Sequence, residues 1–301
     1  MPSSPKAESG QAKDMADRES TVRRNPHPDF DKVQASRPDW DEAESFHFTK
    51  TRDPNWQYGS GATRKSSAKH VEIDPSDTSR PPVFNYKLLI SGIIPRPIGF
   101  VSTCSPDGSS TNLAPFSYFN FVNHDPPVFI LGFNGGISAA KDTLDNLLKT
   151  GECCINIISE DFVEAANACA IDLPYGQSEW SVSGLTPADT SIVKPKRVLE
   201  SVFSIEGKLM NTQEFESKRE KGKTTGTLAV VEGLKFWVRE DAINEDRNLI
   251  DPAVLRPIAR LGGISYARVT DGFEIPRPVL KEEVKKGKLD EGIVKPKVDG
   301  Q

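Results

Sequence analysis

The sequence predicts a mainly β fold: a barrel of six or so strands with peripheral helices, behind a disordered N-terminal extension. Three observations carry this. Short apolar, β-branched runs recur between residues 98 and 270 and do not alternate regularly with helices, which disfavours a doubly wound sheet. The few segments with helical spacing are short. Residues 1–45 are polar, mixed in charge and nearly free of aliphatic side chains, so burial cannot offset the entropy of ordering them.

Residues 46–82 carry Phe46, Phe48, Trp56 and Tyr58 in a Gly- and Ser-rich background. They read as an irregular arm laid on the core or on a second subunit. The folded core is expected over 83–275, with a loose, Pro- and Lys-rich tail at 276–301. Within the core, residues 83–90 lead into a stiff stretch where Pro95 and Pro97 bracket Arg96. Ile98 to Thr103 read as a strand, Ser105-Pro106-Asp107-Gly108 as a turn, and Thr111 to Ser117 as a second strand or loop. Further strands are expected at 128–133, 153–158, 201–215 and 226–238, with a charged hairpin tip at 216–223. Asp142 to Thr150 read as a helix, since Leu144, Leu147 and Leu148 share one face and Gly151 supplies a stop. A short helix follows at 160–170, then a long loop at 171–196. Residues 251–260 read as a loop and short helix, and 261–270 as the closing strand.

Composition narrows the function. Net charge is −5 over 301 residues, and no basic cluster lies inside the core, so nucleic acid is not an expected partner. The cysteines Cys104, Cys153, Cys154 and Cys169 lack C-x-x-C spacing, which suits reduced, buried thiols better than zinc or disulfides. No metal site is expected, because only His124 of the four histidines lies in the core. It reads as a turn residue in V-N-H-D-P-P, with an acid or base role as the alternative. No apolar run approaches the roughly 18 residues of a membrane span. Neither a secretory nor a transit segment is seen at the start, and a cytoplasmic setting is the expectation. Dinucleotide, P-loop and nucleophile-elbow motifs are absent.

Two halves of a possible anion pocket remain. Ser102 and Thr103 end a strand, where hydroxyls and free N–H groups can meet an anion; a plain strand end is the alternative. Lys141-Asp142-Thr143 open a helix, whose N-terminus favours negative charge. There Asp142 reads as the cap, and an ordinary capped helix with a surface Lys is the alternative.

The motifs R-P-I-G-F-V-S-T (96–103), D-G (107–108), N-L-A-P-F-S (112–117), D-P-P (125–127), K-D-T-L (141–144) and R-L-G-G-I-S-Y (260–266) together resemble the flavin reductase-like, FMN-binding split-barrel family. The resemblance spans roughly residues 83–270 and implies a split barrel holding FMN. Ser102, Thr103, Lys141 and Thr143 would then contact the phosphate, with Asp142 in the same cofactor-binding group. Asn112, Leu113, Ala114, Pro115 and Ser117 would line the isoalloxazine, largely through backbone groups, and Arg96 and Pro97 would shape that wall. Arg260 and Tyr266 would fall near the pocket mouth, whereas Cys104 and Ser105 carry no implied role. The family reaction passes a hydride from NAD(P)H to the flavin, and members are usually homodimers. Because the cofactor does the chemistry, no catalytic residues are named from sequence. An FMN-bearing electron carrier or sensor without NAD(P)H reductase activity is the alternative.

Overall fold

The computed structural model describes residues 22–174 and 176–290, together with Asp17, Glu19 and Ser20. The chain divides into two compact units, one over Met1–Glu44 and Asp74–Val269, the other over Ser45–Ile73 and Thr270–Gln301. Most of residues 1–21 and all of 291–301, which include parts of the expected disordered extension and loose tail, lie outside the described residues.

The first unit is built on one antiparallel sheet of seven strands: β1 (Gly99–Cys104), β2 (Thr111–Phe116), β3 (Phe119–His124), β4 (Pro127–Asn134), β5 (Glu152–Ile157), β6 (Phe203–Glu216) and β7 (Thr224–Val238). Their order across the sheet is β2-β1-β5-β6-β7-β4-β3. Consecutive strands β2 and β3 therefore stand at opposite edges, yet only Ser117 and Tyr118 join them. Two residues reach about 10 Å at most, so the sheet must curl until its edges nearly meet. Gly99 marks that approach: a Cβ there would stand 2.9 Å from the Phe119 ring.

The curl creates an inside. Val101, Phe119, Phe129, Leu131, Ile155, Ile205 and Val231 fill it, closed by Leu144 and Leu147 of the Asp142–Thr150 helix. Phe100 and Leu113 face the other way and pack on Ile158, Phe162, Val198 and Ile258. Each such fully buried side chain contributes about 1.5–3 kcal/mol. Covered on both faces, β1 is buried along its whole length, so its sequence shows no alternation of apolar and exposed polar residues. The Asp142–Thr150 helix ends where the leucine spacing predicts: Gly151 adopts φ 71° and donates its N–H to the Leu147 carbonyl at 2.8 Å.

Several elements differ from the sequence reading. The barrel has seven strands in place of six or so, because β3 buries only its first residue, Phe119, and shows no alternation to detect. His124 is the last residue of β3, paired with Pro127. The segment read as a loop over 171–196 carries a helix at Glu179–Ser183, and Pro187–Ala188 pairs with Arg197–Val198. The closing strand shortens to Tyr266–Arg268, paired with Ile258–Arg260. The residues before Pro95 form a helix, Pro82–Gly92. Short helices also occur at Phe30–Ala35 and Leu280–Lys285, inside segments read as disordered or loose.

In the second unit, His47–Phe48 pairs in parallel with Asp271–Gly272. Phe46 and Phe48 pack edge to face at 5.1 Å, as do Trp56 and Tyr58 at 5.7 Å. The Trp56 indole donates to the Gly61 carbonyl at 2.7 Å.

Two polar clusters organise the surface of the first unit. Glu160 lies between Arg256 and Arg268, and Arg268 also reaches Glu44 at 3.2 Å and stacks over Trp40 at 4.2 Å. At the β6–β7 hairpin, Arg219 donates to the carbonyls of Arg80 (2.6 Å), Asp77 (2.8 Å) and Pro75 (3.2 Å). One guanidinium thus fixes three backbone acceptors of an otherwise irregular segment. Arg219→Ala is expected to cost about 1.5 kcal/mol, and amide exchange should quicken selectively over residues 75–80. Unchanged exchange there would show that the segment is held by other contacts.

The cysteines are free and buried; burial, then the charge of Glu152, pushes the Cys153 thiol up to about 12. Among the described residues, no three His, Cys, Asp or Glu side chains converge to hold a metal. No helix among them is long and apolar enough to cross a membrane.

Candidate functional site

A cavity of about 570 Å³ is lined by β2, the Ser117-Tyr118 link, the end of β4, the start of the Asp142–Thr150 helix, residues 169–173 and Glu179. Its volume is in the range of cofactor and small-molecule sites. Of the sequence-predicted residues, Asn112, Ala114, Pro115, Ser117, Lys141, Asp142 and Thr143 line it together. Two motifs some 25 residues apart are thereby brought to one place.

The β2 wall follows from strand geometry. β2 is an edge strand, bonded to β1 on one side only. In an antiparallel strand a residue's N–H and C=O point to the same side, and successive residues alternate sides. The Leu113 N–H donates away from β1, to Glu179 Oε2 at 3.0 Å. By parity, the Leu113 and Pro115 carbonyls also face the open side. Proline is tolerated at 115 because its missing N–H would have pointed outward, where no ladder bond is lost.

The helix start supplies donors. Helical geometry leaves the N–H groups of Asp142, Thr143 and Leu144 without intrahelical acceptors. Asp142, read as the cap, is in fact the first helical residue; Lys141 occupies the N-cap position and no side chain caps the turn. The reason is that Lys141, not Asp142, has the extended backbone of a cap, with ψ 167°. Asn112 Nδ2 donates to Thr143 Oγ1 at 2.6 Å, both residues being buried, which ties the helix start to β2. Lys141 Nζ, well exposed, pairs with Asp172 Oδ1 at 2.8 Å.

The other predicted residues stand apart from the lining. The Ser102 hydroxyl, 1% exposed, donates to the Lys196 carbonyl at 2.5 Å. Thr103 is equally buried, and its hydroxyl accepts from Asn146 Nδ2 at 3.3 Å. Both strand-end hydroxyls are therefore committed to the protein interior. Leu113 turns its side chain into the outer core. Arg96 donates to the carbonyls of Ile90, Ile93 and Leu261, so its guanidinium organises loops, while Pro97 is exposed beside it. Arg260 stacks on the Tyr266 ring at 4.2 Å, and Tyr266 donates to Asn167 Oδ1 at 2.8 Å.

Sequence reasoning missed Glu179, Tyr86, Ile90, Tyr118 and residues 169–173, all of which line the cavity. Glu179 matters most chemically, as a 6% exposed carboxylate. Burial raises its pKa, the Leu113 N–H lowers it, and the nearby charge of Asp142 raises it further. The Cys169 thiol, held up to about 11 mainly by burial, stays neutral. The cavity wall thus carries the carboxylates of Asp142, Asp172 and Glu179 against the single ammonium of Lys141.

The flavin reductase like domain family matches residues 91–255. Nitrilotriacetate monooxygenase component B from Bacillus cereus is 31% identical, with a TM-score of 0.64 over 69% of this chain and 100% of that one. The 2-nitrobenzoate 2-nitroreductase of Pseudomonas fluorescens is 26% identical, with a TM-score of 0.60 over 70% of this chain and 97% of that one. A Shewanella frigidimarina protein described as a flavin reductase with split barrel domain shares the fold at 21% identity, with a TM-score of 0.55 over 65% of this chain and 92% of that one. The curled seven-stranded sheet is accordingly a split barrel, and the chain belongs to the flavin reductase like domain family.

Proposed function

We propose that this protein is an FMN-binding oxidoreductase that takes hydride from NAD(P)H. The observation that carries the reading is the cavity itself, where an edge strand's open backbone meets an uncapped helix N-terminus. The residues fit the group. Free amides of the first helical turn, the Thr143 hydroxyl and Lys141 would hold a phosphate. The β2 carbonyls and the backbone about Ala114 to Ser117 would meet the edge of a flat ring. When bound, the flavin supplies the redox chemistry, and the protein supplies orientation and electrostatics. In this assignment Ser102, Thr103, Arg96 and Pro97 support the site from behind.

Binding and turnover are tested in sequence. Quenching of FMN fluorescence by the purified protein is expected, and its absence overturns the reading. Anaerobic addition of NADH or NADPH should then bleach the bound flavin. A flavin that binds but is reduced by neither nucleotide would overturn the reductase half and leave an electron carrier or sensor.

Lys141 is one exposed cation among three carboxylates and is already paired with Asp172. Lys141→Ala is therefore expected to weaken FMN only about fivefold at low salt, as for an exposed ion pair, and less at high salt. Riboflavin, which lacks the phosphate, should be unaffected. Equal loss for both ligands would remove Lys141 from the phosphate seat.

A homodimer fits the exposed apolar side chains of Tyr86, Leu89, Ile93, Tyr118, Phe121 and Val122, which lie at or near the cavity and β3. Light scattering at micromolar protein tests this. A reducing, cytoplasmic setting is in keeping with the four buried free thiols.

A further inference from the structure

Glu179 is a buried carboxylate on the wall of a cavity proposed to hold a phosphate ester, so it needs a specific partner there. One oxygen is accounted for: Oε2 accepts from the Leu113 N–H at 3.0 Å. The backbone around it is also held, since the neighbouring Ser178 hydroxyl bonds Thr111 Oγ1 at 2.8 Å and the Cys169 thiol lies 3.8 Å from the Glu179 carbonyl. The Glu179 backbone N–H also donates to the carboxyl group, which is thereby fixed at the edge of β2 on the cavity wall. These two N–H donors leave about half of the roughly four acceptor positions of a carboxylate for a ligand.

The chemistry of a flavin limits what can satisfy it. In its ionised form the Glu179 carboxyl repels the phosphate and cannot pair with the ring carbonyls or the unprotonated ring nitrogens, all of which are acceptors. That leaves two kinds of donor, the ring N3–H and the hydroxyls of the sugar-alcohol chain. Position decides between them. Glu179 is bonded at Leu113, next to Asn112, whose amide grips Thr143 on the first turn of the helix. Asp142 of that same turn is close enough for its charge to act on Glu179. The carboxylate thus sits beside the proposed phosphate seat, while the ring wall runs on from Ala114 to Ser117. The group joining phosphate to ring is the hydroxyl chain, whereas N3–H lies at the end of the ring remote from the phosphate.

We propose that Glu179 is a specificity-determining residue that accepts hydrogen bonds from the hydroxyl chain of the flavin. The inference rests on the flavin-binding reading above. It selects flavins carrying a polyol over bare ring systems, a discrimination that the phosphate seat does not provide. A site built to bond a ligand hydroxyl discriminates against an analogue lacking it, because its own buried polar group is left unpaired.

Fluorescence or absorbance titration with FMN, riboflavin, lumiflavin and a flavin bearing an N10-pentyl chain tests the assignment. Glu179→Gln retains an oxygen for the Leu113 N–H, so the wall is kept while the charge is removed. The expected result is that Glu179→Gln weakens FMN and riboflavin alike, by about tenfold for a charged hydrogen bond, and leaves lumiflavin and the pentyl flavin unchanged. Equal weakening of all four, or of none, would mean that Glu179 only supports the strand and would overturn the proposal. Wild-type protein gives a second readout that needs no variant: riboflavin should bind about tenfold more tightly than the pentyl flavin, and equal affinity would overturn the proposal. If wild type binds none of the four, the flavin reading itself falls. Binding of lumiflavin without preference for the polyol defeats only the role of Glu179.

Discussion

Glu206→Ala is expected to lower the unfolding free energy by about 4 kcal/mol. The carboxylate on β6 is fully buried and accepts from the backbone N–H groups of Ser191, Ile192 and Val193, the Ser191 hydroxyl and the Trp237 indole. It replaces secondary structure as the organiser of that loop. Truncation leaves the buried Val193 N–H and the half-buried donors of Ser191, Ile192 and Trp237 without their acceptor, at about 1–3 kcal/mol for a buried group and less for the others. Urea unfolding measures the loss, and a change below 1 kcal/mol would show that water or rearrangement satisfies the loop.

The same residue sets an acid limit. Burial alone would raise its pKa, but the hydrogen bonds from Ser191, Trp237, Ile192 and Val193 outweigh that and bring it from 4.5 down to about 2. A carboxylate whose pKa is depressed on folding contributes its full stabilisation above the unfolded value. The contribution is lost as pH falls from there through the folded value. Stability should therefore decline between about pH 4.5 and 2, and Glu206→Gln should remove that part of the slope. An identical acid profile in the variant would assign the slope to other groups.

Asn112→Ala is expected to weaken FMN by about thirtyfold, or roughly 2 kcal/mol, the largest effect predicted for ligand binding. Its amide holds Thr143 Oγ1 at 2.6 Å in a buried contact and so registers the first turn of the helix against β2. Loss of the bond removes the buried partner of the Thr143 hydroxyl and frees the proposed phosphate seat to move away from the ring wall. Riboflavin should lose less than FMN. Equal affinities in variant and wild type would separate the Asn112–Thr143 contact from the phosphate seat.

The parts of the site that were legible in sequence are those governed by local rules. The Asp142–Thr150 helix and its end at Gly151 are legible because its leucines share a face and the glycine stops it, whereas the cap falls on Lys141 and not on Asp142. K-D-T and N-L-A-P-F-S were read as one pocket, and most of their residues line one cavity. Long-range packing hid the rest. Ser102 and Thr103 look like free strand-end hydroxyls until the covering loop at Lys196 and the helix residue Asn146 are placed over them. Glu179 begins a helix of five residues, too short to show a period, and its bonded partner Leu113 lies 66 residues away. β3 was missed for the opposite reason: its residues beyond Phe119 are exposed, so no buried face imposes alternation.

Pro115 and the engaged Leu113 N–H also shape what the edge of the barrel refuses. A strand adding to β2 would need donors as well as acceptors along its open side. From Leu113 to Pro115 that side donates nothing, because one N–H is held by Glu179 and the other does not exist. Exposed strand edges are the usual templates for aggregation, and proline is one of the means by which natural sheets blunt them. The wall that offers carbonyls to a small ligand is thus closed to another polypeptide, and the barrel can leave this seam open without inviting intermolecular β-pairing.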